Sequence, residues 1–73
     1  MKVKISLETA TDIANFVLAT SRVKEPVYVT DNSKMCIDGK SFLGLAYAKE
    51  FSELWCECES DIYNSIASFV IEG

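Results

Sequence analysis

Two segments that alternate polar and apolar residues, near opposite ends of the chain, constrain its fold most. Lys2 to Leu7 puts Val3, Ile5 and Leu7 on one face and Lys2, Lys4 and Ser6 on the other, the period of a strand buried on one side only. Phe51 to Cys58 repeats the pattern, with Leu54, Cys56 and Cys58 set against Glu53, Trp55 and Glu57, and this strand is expected to end near Glu59. Strands wet on one face belong to an antiparallel sheet whose other face needs a covering layer.

Helical spacing supplies that layer. Thr9-Ala10-Thr11-Asp12 is a helix start, with Thr9 as cap and an acidic residue three positions on, and Ile13, Phe16, Val17 and Thr20 then recur on one face to about Arg22. Pro26 opens the β-rich run Val27-Tyr28-Val29-Thr30, and Asp31-Asn32-Ser33 turns the chain into Met35-Cys36-Ile37, which reads as a hairpin. A short helix follows from Ser41 to about Ala48. Ser60-Asp61 is expected to cap a last helix with Ile62, Ile66, Phe69 and Val70 in one stripe, Asp61 lying near the positive helix end. The order is βαββαβα. It predicts an α+β open-faced two-layer sandwich, a four-stranded antiparallel sheet covered on one face by helices, in a single domain over residues 1–73.

At 73 residues the chain is near the lower limit for a core that holds without disulfides or metals. Its net charge of −4, with no basic cluster beyond pairs, argues against direct nucleic-acid binding, where phosphate neutralisation supplies much of the affinity. No apolar run approaches the ~20 residues that span a bilayer. Met1 to Ile5 alternates instead of leading into an apolar signal core, so a cytoplasmic protein is expected. Cys36, Cys56 and Cys58 are an odd set read as free thiols, and Cys56 and Cys58, two apart on a strand, share a face instead of surrounding a metal. The chain has no histidine. Without a histidine base, a phosphate-cradling glycine loop or a base beside a thiol, neither an enzyme nor a metal or other cofactor is expected.

The stretch Asp38-Gly39-Lys40-Ser41-Phe42-Leu43-Gly44-Leu45-Ala46-Tyr47 reads as a strand that ends, turns at Gly39, and starts a short helix at Ser41. Lys40 to Leu45, together with Ala14-Asn15-Phe16-Val17, resembles the HPr family, the small phosphocarriers of the bacterial sugar phosphotransferase system. Element order and length extend the resemblance over nearly the whole chain. It implies that the first strand lies beside the fourth, which would set Lys2 and Lys4 near Glu53 and Glu57 on the open face, where opposite charges across strands contribute about 0.2–1 kcal/mol each.

The family's active site is a histidine at the start of the first helix, followed by an arginine and a proline. Aligned on Phe16-Val17, these fall at Thr9 or Ala10, near Thr11, and near Asp12, so all three are absent. An imidazole phosphoramidate keeps a high transfer potential, whereas a threonine phosphoester is a poor donor. The helix start still offers backbone N–H groups to an anion, against which Asp12 would act.

Ser41 matches the family's regulatory serine, which a dedicated kinase phosphorylates in many Gram-positive bacteria so that the phosphoprotein binds a transcriptional regulator. Two readings stand: Ser41 is a helix cap alone, or a cap and also a phosphorylation site with Lys40 beside it. Phe42, Leu43 and Tyr47 are likewise either core residues or, with Lys40, the surface that docks phosphotransferase proteins, the serine kinase or the regulator. Trp55 and Tyr28 on the open face form a cross-strand pair or a homodimer surface. The resemblance implies a non-catalytic, regulatory or protein-interaction module related to the sugar phosphotransferase system. The alternative is a phosphocarrier-type role, with Thr9 or Thr11 as acceptor or a partner supplying the histidine.

Overall fold

The two alternating segments do pair with each other. The computed structural model describes Met1 to Ile71. Strands β1 (Lys2–Ile5), β2 (Val27–Thr30), β3 (Cys36–Asp38) and β4 (Leu54–Cys58) form one antiparallel sheet in the order β1-β4-β2-β3. Val3 lies opposite Cys56 and Ile5 opposite Leu54, while Val29 faces Cys56 from the other side. Ile5, Leu54, Cys56, Cys58, Val27 and Val29 are thereby buried together on one face.

Helix α1 (Ala10–Ser21) covers that face. Its start is the expected capping box: the Thr9 hydroxyl accepts from the Asp12 N–H at 3.1 Å, and the Asp12 carboxylate accepts from the Thr9 N–H at 3.2 Å. Ile13, Phe16 and Thr20 point inward, and the Phe16 ring meets Phe69 edge-on, with centroids 5.3 Å apart. The buried Thr20 hydroxyl lies 2.9 Å from the Gly39 carbonyl and 3.0 Å from that of Phe16, so its proton ties α1 to the turn after β3. Helix α2 (Phe42–Ala48) buries Leu45 and Ala48. An α+β open-faced sandwich with one helix-covered face is the architecture of the chain.

Three local expectations are corrected. The last helix is one α-turn, α3 (Tyr63–Ile66), followed by a 3₁₀ turn over Ala67–Phe69. Ser60 and Asp61 do not cap it as expected: Ile62 occupies the cap position with no side-chain bond, Ser60 donates to Glu25 at 2.9 Å, and Asp61 accepts from the Tyr63 N–H at 3.0 Å. The chain straightens after Phe69 to complete the outer edge of β1, where the Ser6 N–H donates to the Phe69 carbonyl at 2.9 Å and the Ile71 N–H to the Lys4 carbonyl at 3.0 Å. Val70 therefore bridges Ile5 instead of extending the helical stripe.

The fourth strand begins at Leu54 and not at Phe51, whose ring packs edge-on against Tyr47 at 5.8 Å. Finally, Lys4 faces Trp55 in the register and not Glu53; only Lys2 has an acidic partner directly opposite, Glu57, at 3.8 Å.

Candidate functional site

The turn before α2 is built by short-range hydrogen bonds, each spanning no more than three positions along the chain. The Asp38 carboxylate accepts from the Lys40 N–H at 2.9 Å, and the Asp38 carbonyl accepts from the Ser41 N–H at 3.1 Å. Ser41, extended at φ −104°, then caps α2 by accepting from the Gly44 N–H at 3.1 Å. This satisfies one of the free donors of a helix start. Ser41→Ala is expected to lower stability by about 1 kcal/mol, a drop of about 4–8 °C in melting temperature for a domain of this size; a thermal melt by circular dichroism checks it.

Gly44 sets how closely α2 lies on the sheet. A Cβ there would sit 2.6 Å from Cγ2 of Ile37. With the inner side of the helix anchored by Leu45 and Ala48, Phe42 (45 % exposed), Leu43 (82 %) and Tyr47 (57 %) face outward. They are surface residues, and the core reading of them is set aside. Ala46, which the sequence reading did not single out, completes the stripe, since Leu43, Ala46 and Tyr47 follow the i, i+3, i+4 spacing of one helix face. That spacing was available in the sequence and marks the patch. Lys40 is placed differently from expectation. Its ammonium donates to the Val23 carbonyl beyond the end of α1, so it serves the junction of the two helices.

The residues at the start of α1, Thr9 to Asp12, form a self-contained cap. Thr9, Ala10 and Thr11 are exposed. The Asp12 carboxylate accepts from the N–H groups of Glu8 (3.0 Å) and Thr9 (3.2 Å), and the Thr9 hydroxyl is engaged by the Asp12 N–H. The protein's own carboxylate thus takes up the N–H groups just ahead of the helix and sets negative charge where an incoming anion would sit.

On the open face, the Lys2 ammonium lies over the Trp55 ring, 5.6 Å from its centroid, and the Trp55 indole N–H donates to Glu53 at 3.0 Å. Tyr28 lies opposite Glu57 and diagonal to Trp55. An open groove of about 420 Å³ beside them is lined by Met1, Pro26, Tyr28, Glu57, Cys58 and Glu59.

The three thiols are free. Burial, reinforced by Cys58, pushes the Cys56 thiol up to about 12, so it stays protonated and unreactive. Among the described residues, no group of His, Cys, Asp and Glu could hold a metal ion, and no helix is long and apolar enough to cross a membrane. No family model, curated protein or solved structure matches the chain.

Proposed function

We propose that this protein is a non-catalytic, HPr-like interaction module that docks a protein partner of the sugar phosphotransferase system or its regulation through the outer face of α2, with Ser41 as a phosphorylation site. The observation that carries the reading is the exposure of Leu43 and its neighbours Phe42, Ala46 and Tyr47 on a helix already anchored through Leu45 and Ala48. Folding does not need those side chains outside. Large apolar residues grouped on a surface gain free energy when a partner covers them. The β1–β4 pairing implied by the resemblance lends further support.

A phosphocarrier role receives less support. The Thr9 hydroxyl already serves the helix cap, and Asp12 fills the adjoining donors. Ser41, half-buried, keeps its hydroxyl proton free while its oxygen accepts from Gly44. A phosphate there would place negative charge at the first turn of α2, which favours it.

The test is titration of the isotope-labelled protein with the general phosphotransferase enzyme and with an HPr serine kinase, followed by intact-mass analysis after adding ATP. Binding should perturb the amides of residues 41–48, and the kinase should add one phosphate at Ser41. Leu43→Asp should leave the melting temperature nearly unchanged and weaken binding by ~30-fold or more, the loss of one hot-spot side chain of about 2 kcal/mol. Absence of binding to both enzymes, together with absence of phosphate, would remove this function.

A further inference from the structure

Two contacts join the end of α1 to the turn before α2, and they differ in kind. The buried Thr20 hydroxyl lies 2.9 Å from the carbonyl of Gly39, a residue that is itself buried. The other is the bond from the Lys40 ammonium to the Val23 carbonyl, between two half-buried residues. The first has no competing partner, whereas an ammonium on a flexible four-carbon stem goes to the best acceptor within its reach.

In the unmodified protein that acceptor is neutral. The carboxylate of Asp38, the acid nearest to Lys40 along the chain, accepts from the Lys40 backbone N–H at 2.9 Å. Among the described residues, no carboxylate forms an ion pair with the Lys40 ammonium. Ser41 follows directly, half-buried, its oxygen accepting from the Gly44 N–H at 3.1 Å and its own proton unshared. A phosphate on Ser41 would bring a charge of about −1.5 to −2 to the residue beside Lys40. An ammonium is attracted more strongly to such an anion than to the dipole of a carbonyl.

We propose, building on Ser41 as a phosphorylation site, that Lys40 is the latch through which the modification reaches α1: the phosphate draws the ammonium off the Val23 carbonyl and frees the chain that follows α1. In the modification the bond from Ser41 Oγ to the γ-phosphorus of ATP forms as the bond from that phosphorus to the β–γ bridging oxygen breaks. ADP leaves, and the hydroxyl proton passes to a base of the kinase. The freed stretch is short. Thr20 stays tied to Gly39 on one side, and on the other the Glu25 carboxylate accepts from the Ser60 hydroxyl at 2.9 Å, so residues 21–24 are the ones that move. Arg22 and Lys24, both exposed, flank Val23. Phosphorylation thereby changes the surface in two places at once, the start of α2 and the basic residues after α1.

The test uses the full chain with phosphoserine built in at position 41, so that neither a kinase nor a docking partner is needed. The Val23 N–H, bonded to the Thr20 carbonyl at 3.0 Å, should exchange its hydrogen ~10-fold faster or more than in the unmodified chain, and the carbonyl-carbon resonance of Val23 should shift as it loses its donor. The Gly39 N–H, bonded to Val27 at 2.7 Å, should keep its exchange rate. Lys40→Met, which keeps the apolar stem and removes the ammonium, should show both changes at Val23 without phosphate and gain nothing further with it. A phosphoserine chain whose Val23 exchange and carbonyl resonance match those of the unmodified chain overturns the latch, and so does a phosphate effect at Val23 that persists in Lys40→Met. Circular dichroism verifies folding, and the phosphoserine chain carries the result by itself if Lys40→Met is unfolded. Because the phosphate is built in, failure of a kinase to modify Ser41 is a separate result that bears on the proposed function.

Discussion

Phe16→Ala is expected to remove more than half of this protein's stability. Phe16 has no solvent exposure and stands at the centre of the core, on the inner side of α1 and against Phe69. Removing a buried phenylalanine ring costs about 3–5 kcal/mol through lost transfer energy and the cavity left behind. Small domains have total stabilities of about 5–15 kcal/mol, and one of 73 residues belongs near the lower end because it buries a smaller share of its surface. At ~4–8 °C per kcal/mol, the melting temperature should fall by at least about 12 °C. Phe16→Leu, which keeps most of the volume, should cost considerably less. Thermal and urea melts of the two variants check this, and a Phe16→Ala protein melting within a few degrees of the native one would contradict the assigned core.

Gly39→Ala should produce the second large loss, of up to about 3 kcal/mol, although it adds a single methyl group. A Cβ at Gly39 would sit 2.8 Å from Cγ1 of Val27 and 2.9 Å from the Val27 carbonyl oxygen. Val27 is buried in the central strand β2, so the obstacle includes backbone that two neighbouring strands hold in place. Moving Gly39 away would stretch its 2.7 Å bond to the Val27 carbonyl and disturb the 2.9 Å contact of its own carbonyl with Thr20.

Gly44→Ala is the informative control. Its Cβ would meet Cγ2 of Ile37 at 2.6 Å, a side-chain methyl on the edge strand and not a backbone atom of the central strand, and alanine gains about 1 kcal/mol of helix propensity over glycine in α2, which offsets part of the clash. The urea midpoint of Gly39→Ala should therefore lie well below that of Gly44→Ala. The reverse order would mean that the turn after β3 is looser than its hydrogen bonds imply.

Much of this architecture was legible because it is set within a few residues. Alternation placed Ile5, Leu54, Cys56 and Cys58 on the inner face of the sheet. The Thr9 and Asp12 spacing marked the capping box, and Ser41 marked the start of α2. Exposure of Phe42, Leu43 and Tyr47 was one of two readings open to the sequence. It was settled once Leu45 and Ala48 took the inner side of the helix, since seven residues on a cylinder cannot all face one sheet.

What local pattern could not supply was the destination of groups that find partners far along the chain. The ammonium of Lys40 could have served Ser41, yet the fold brings the Val23 carbonyl to it. Lys4 could have met Glu53, yet the register sets it opposite Trp55. Ile62, Ile66, Phe69 and Val70 read as one helical stripe; Ile62 and Ile66 are buried and Phe69 and Val70 pack against the core, but the helix ends at Ile66, because the outer edge of β1 needed hydrogen-bond partners and the chain gave up its last helical turn to provide them. The sequence by itself determined which residues turn inward and where α1 and α2 begin, because periodicity and capping act over one or two turns. Tertiary structure alone decided strand register, the end of α3 and which sheet edge stays open, because those depend on satisfying backbone groups that only the assembled sheet brings together.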